Sequence, residues 1–140
     1  MHQIIFVGAE DSVADMEPDE NPANEFPCMS SQVFHREARA QMYALASGEF
    51  LDAALGFEML DQTLGQDGPY IYRLDPGVQR TLAYLEEDGI ESLASAWMLC
   101  EEIESLDLTE NDLHDFIFQF VHFCQTATND DLGLYLYSDD

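Results

Sequence analysis

The stretch from Thr109 to Thr126, TENDLHDFIFQFVHFCQT, constrains the fold more than any other part of the chain. Leu113, Phe116, Ile117, Phe120, Val121 and Cys124 recur at three- and four-residue intervals, and Phe118 and Phe123 widen that face beyond a single stripe. The pattern predicts a helix buried on most sides, with the rest of the molecule packed around it. Thr109 is the expected N-cap. Glu110 and Asp112 set negative charge against the positive end of the helix dipole, and Asp112 stands where a capping box needs its second member.

That apolar helix sits in a chain of extreme charge. Asp and Glu number 29 against four Arg and no Lys, a formal charge of -25 in 140 residues. Self-repulsion on this scale works against a compact state. Disorder would follow in a less apolar chain, but 46% hydrophobic residues, with nine Phe, six Tyr and a Trp, are enough for one folded domain spanning residues 1–140. No apolar run is long enough to span a bilayer, and the opening MHQIIFVGAEDS lacks a basic leader, so the expectation is a cytosolic protein. Cys28, Cys100 and Cys124 are odd in number and widely spaced, as reduced, small apolar residues would be. Anionic membranes and nucleic-acid backbones would repel such a surface, which excludes both as direct partners.

Along the chain, QIIFV at Gln3–Val7 predicts a strand. The segment at about 9–29 carries Glu10, Asp11, Asp15, Glu17, Asp19, Glu20 and Glu25 with Pro18, Pro22 and Pro27, and without a helical period it is expected to be an exposed acidic loop. A helix is predicted from about Ser31 to Ser47, buried along Phe34, Ala38, Met42 and Leu45, with Arg36 and Arg39 as internal charge balancers. Phe50, Ala54, Phe57, Leu60 and Leu64 continue at helical spacing to Gly65, giving a second helix. A short strand follows at Tyr70–Leu74, then a third helix with Asp75 as N-cap and Pro76 in its first turn, buried along Val78, Leu82 and Leu85. Glu86, Glu87, Asp88 and Gly89 are expected to end it. Ile90, Leu93, Ala94, Trp97 and Cys100 outline a fourth helix ending in Glu101, Glu102 and Glu104. Carboxylates at a helix C-terminus oppose the dipole, so both groups become candidates for work outside the fold. A turn at Asn129–Gly133 leads to a last strand at Leu134–Tyr137. The predicted fold is α+β and mostly helical: about five helices with a small sheet from N-terminal, central and C-terminal strands.

Chemistry is sparse. Asp15, Glu17 and Asp19 alternate as in a calcium loop, but Glu20 stands where the loop needs glycine and Phe26 where it needs a bidentate acid. His114, His122, Asp115 and Cys124 are near in sequence without the spacing of a zinc or Cys-His site. No nucleotide or nucleophile-elbow motif is present, so neither an enzyme nor a metal or other cofactor is expected. The acidic patches remain. Their one-sign character points to a basic protein partner, since single-sign fields speed association with opposite charge. The leading expectation is an immunity protein or antitoxin that neutralises a basic, nucleic-acid- or nucleotide-directed toxin. A DNA mimic that inhibits a restriction, CRISPR or repressor protein is the alternative, and a haloadapted protein a third. The expected contact residues are Asp15, Glu17, Asp19 and Glu20 in the acidic loop, Glu86, Glu87 and Asp88, and Glu101, Glu102 and Glu104.

Overall fold

The first and last strands of the chain lie side by side at the centre of the fold. The structure is a computed structural model, and it describes residues 3–17, 21–22, 26–31, 33–66 and 68–139. Strand β1 (Gln3–Gly8) pairs antiparallel with β5 (Gly133–Ser138), with Ile5 opposite Leu136 and Phe6 opposite Tyr135. Outside them lie β2 (Cys28–Ser30), against β1, and β4 (Tyr70–Leu74), against β5; β3 (Glu58–Thr63) pairs with β4 at the far edge. The order β2-β1-β5-β4-β3 is antiparallel throughout.

Both central strands are covered on both faces, which their alternating side chains explain. Ile5 and Val7 with Leu134 and Leu136 face the helices, while Phe6, Tyr135 and Tyr137 face the other way. Seven helices occur among the described residues: α1 (Glu10–Ala14), α2 (Arg36–Ser47), α3 (Leu51–Ala54), α4 (Pro76–Ala83), α5 (Glu87–Met98), α6 (Glu101–Glu104) and α7 (Glu110–Asn129). Helix α7 contacts β1 and β5 on one side and α4 and α5 on the others, so it holds the central position its apolar pattern predicts. Phe116 and Phe120 of α7 form an aromatic cluster with Phe34, Tyr43 and Trp97, whose indole donates to the Ala38 carbonyl at 2.9 Å. Burial is not as complete as the pattern suggests, because Phe118 is 59% exposed.

The mostly helical α+β class is as the sequence indicates. Several boundaries differ. Residues 50–64 do not form one helix: α3 and a 3-10 turn at Leu55–Phe57 give way to β3, leaving Phe50 and Leu60 exposed. The reason is Glu58, whose carboxylate is drawn into the core by Arg39, and the pairing of β3 with β4, which gives the outer backbone groups of β4 partners that a helix in its place could not supply. The acidic segment is not wholly a loop. Helix α1 folds across the back of the sheet, where Val13 and Met16 are buried beside Phe6 and Tyr135, while Glu10, Asp11, Asp15 and Glu17 face solvent. Asp19, Glu20 and Glu25 lie outside the described residues. Gly48 closes α2 with φ of 74°, a left-handed conformation that glycine adopts without strain.

Candidate functional site

The two acidic groups after α4 and α5 stand at the opposite ends of helices from those the sequence suggests. Helix α4 stops at Ala83, Glu86 is the N-cap residue of α5, and Glu87 and Asp88 form its first turn. Gly89 is no terminator: Leu85 packs over it, and a side-chain carbon there would stand 3.1 Å from Leu85 Cδ2. Likewise α5 ends at Met98, and Glu101, Glu102 and Glu104 belong to the single turn of α6, anchored by buried Ile103. Glu86, Glu87 and Asp88 therefore favour, rather than oppose, the dipole of α5, and Glu101 and Glu102 stand at the start of α6, with Glu104 closing that single turn. Opposition to a helix dipole thus gives these acids no role outside the fold.

Their exposure is uneven. Glu86, Glu87, Asp88, Glu101 and Glu104 are exposed, but Glu102 is half-buried and accepts a hydrogen bond from Gln41, tying α6 to α2. Asp15 and Glu17 are exposed at the end of α1 and just beyond it. The two groups on α5 and α6 are separated by the length of α5, about 16 Å at 1.5 Å per residue.

Between them runs a feature absent from the expected contact residues. Glu91, Ser92, Ser95 and Leu99 follow Asp88 along the solvent face of α5, and Leu99 is 85% exposed. Opposite, the first turns of α7 present Glu110, Asn111 and His114. Together Glu91, Ala94, Ser95, Glu110, Asn111 and His114 line a groove of about 350 Å³ with a carboxylate on each helix. The legible signal was the polar stripe opposite Ile90, Leu93, Ala94 and Trp97; what it faces depends on tertiary packing. The groove is laid out by α7, whose start is fixed by Thr109: its hydroxyl accepts from the Asp112 amide at 3.2 Å, and Asp112 accepts from the Thr109 amide at 3.0 Å. These hydrogen bonds hold the Asp112 carboxyl below its ordinary range.

Of the other residues considered for chemistry, His122 is exposed, whereas Cys124 is fully buried and its thiol is pushed up by burial, so it behaves as an apolar core residue. Among the described residues, no three His, Cys, Asp or Glu side chains converge as metal ligands would. No helix among them is long and apolar enough to cross a membrane.

The chain is thus an antiparallel α+β protein with an acidic helical groove. Comparison with protein-family models, with curated proteins and with solved structures finds no match.

Proposed function

We propose that this protein is an inhibitory binding module of the immunity-protein or antitoxin kind, which neutralises a basic protein partner through the α5/α7 groove and its rim. The carrying observation is how charge is distributed. Among the described residues every carboxylate except Glu58, Asp75 and Glu102 is exposed. Of the four arginines, only Arg39 is buried, against Glu58; Arg36 is exposed and bonds to the Leu55 carbonyl beside the Tyr72 ring, and Arg73 lies over the Tyr135 ring near Glu10. The exposed charge is therefore almost wholly negative.

Glu91 and Glu110 offer paired acceptors for an arginine or lysine side chain entering the groove, with Ser95 and Asn111 as further partners. Exposed Leu99 beside Glu101, and Tyr84 beside Glu86 and Glu87, supply apolar contact at either end of α5. A toxin that uses cationic side chains to hold phosphate would present the complementary surface.

The test begins with affinity capture from the source organism and identification of the bound protein. Its association rate should then fall about ten- to a thousandfold between low and high salt, and Glu91→Lys with Glu110→Lys should slow it further without altering the fold. A captured partner whose association is indifferent to both salt and charge reversal would overturn the proposal. Displacement of DNA from several unrelated DNA-binding proteins would instead favour the mimic.

A further inference from the structure

Helix α5 and its flanks carry a second series of small and apolar residues beside the one that the core takes. Ile90, Leu93, Ala94 and Trp97 are buried in the core. Leu85, Gly89, Ser92, Ala96 and Leu99 recur at intervals of four, three, four and three residues, the spacing at which one helix receives the side chains of another. All five are half-buried or exposed.

The series borders a groove between α2 and α5. Leu45 and Ala46 of α2 form one wall and Leu85, Leu93 and Ala96 the other, bounding about 210 Å³. Ser92 and Ala96 also line the outer face of α5, which runs on to Leu99. Leu45 and Leu99 are exposed at the margins, and between them the small Gly89, Ser92 and Ala96 let another backbone come close. The border is anionic. Glu86, Glu87, Asp88 and Glu91 are exposed along α5, Glu101 follows Leu99, and exposed Glu49 follows the end of α2. None of the four arginines lines the groove or the outer face of α5.

We propose that this groove receives an amphipathic helix of the basic partner, its leucine-sized side chains between α2 and α5 and its flanking lysines or arginines meeting Glu86, Asp88 and Glu91. The inference rests on the reading of the protein as the binder of a cationic protein, and it names the segment that the partner inserts. Apolar walls with a one-sign border match that chemistry: leucines along one side of a helix and cations beside them. A second copy of this chain is the wrong occupant, because it would bring a charge of -25 against the same acids. An extended segment finds no sheet edge between two helices, whereas a helix satisfies its own backbone.

The probe is a peptide of leucine and lysine, about 18 residues long so that it can form a helix, with its leucines at heptad spacing. A second peptide of the same composition in strict alternation is the control. Titrated into 15N-labelled protein at about 0.15 M NaCl, the first should shift the Gly89, Ser92 and Ala96 amides saturably and bind about tenfold tighter than the control, since only its leucines share one helical face. Ser92→Gln combined with Leu99→Ser, both at exposed positions, should weaken it about tenfold while amides away from α5 keep their shifts. No saturable shift, equal binding of the two peptides, shifts confined to Asn111 and His114 in the α5/α7 groove, or an affinity unchanged in the double variant would overturn the assignment. The broader proposal fails separately: it stands or falls on whether Glu91→Lys with Glu110→Lys slows the captured partner, whatever the peptides do.

Discussion

Arg39 is 4% exposed and uses its whole guanidinium. Its Nε and Nη2 meet the two oxygens of Glu58 at 2.8 and 2.9 Å, and Nη1 reaches Gln3, Ser31 and the Phe34 carbonyl. Tyr43 donates a further bond of 2.6 Å to Glu58. One side chain thereby joins α2 to β1, to β3 and to the segment before α2. Burial by itself would lower the Arg39 pKa, but the charge and hydrogen bonds of Glu58, aided by Tyr43, more than offset this and hold it above its ordinary value. Burial, reinforced by Glu58, pushes the Tyr43 hydroxyl well up, so it stays a donor. Removing one member of so buried a pair leaves an uncompensated charge. Arg39→Ala and Glu58→Ala are each expected to cost about 3–5 kcal/mol in urea unfolding, and Arg39→Met combined with Glu58→Leu less than either. Tyr43→Phe should cost only about 1 kcal/mol. Single substitutions that each cost under about 1 kcal/mol would show the pair to be dispensable. That Arg39 is an internal charge balancer was readable from its helix position among acids. Its partner was not, because the 19-residue separation from Glu58 crosses a segment whose apolar spacing imitates a helix.

At the scale of elements, local capping chemistry was legible and helix boundaries between neighbours were not. Asp75 caps α4 by accepting from the Val78 amide, with Pro76 in the first turn, and Thr109 and Asp112 close a reciprocal box at the start of α7, as their sequence signatures indicate. Acids between two apolar runs carry no such direction: LEEDG reads equally as an ending or a beginning. Packing decides it. Leu85 lies against Gly89 and lets the chain turn directly into α5. The missed strands, β2 and β3, are short or polar and gain definition only from β1 and β4. For α7 the box yields a defined expectation. Thr109→Ala should cost about 1 kcal/mol at neutral pH, measured by thermal unfolding. The folded-state Asp112 pKa is depressed, first by the hydrogen bond from the Thr109 backbone amide, so the stabilisation its carboxylate gives is present above the ordinary value of 3.8 and is lost as pH falls through the folded-state value. The gap between wild type and Asp112→Asn should accordingly narrow only on the acid side, whereas Thr109→Ala keeps the backbone amide that Asp112 accepts from. A gap that widens in acid would place the stabilisation elsewhere.

For the molecule as a whole, the same exposed carboxylates act on two equilibria with opposite sign. Inside the chain they repel one another, and the apolar core around α7, with the Arg39–Glu58 staple, must hold the fold against that repulsion. Toward a basic partner they attract. Salt screens both effects, with a Debye length of about 10 Å at 0.1 M and about 3 Å at 1 M. Raising NaCl from about 20 mM to 0.5 M should therefore raise Tm by about 3 °C, the shift expected for about 1 kcal/mol in a chain of this size, while weakening association with the captured partner. The protein should already be folded at the lower salt, because its core holds buried Phe6, Tyr43, Trp97 and Phe120 rather than relying on screening. Unfolding at low salt with recovery only in molar salt would support haloadaptation and remove the reason to seek a cationic partner. Folding at low salt together with binding that strengthens as salt is added would locate the contact on an apolar face, such as the exposed Phe118 or Leu99, and leave the carboxylates as bystanders. Opposed salt responses in the two measurements are what the proposed electrostatic pairing requires.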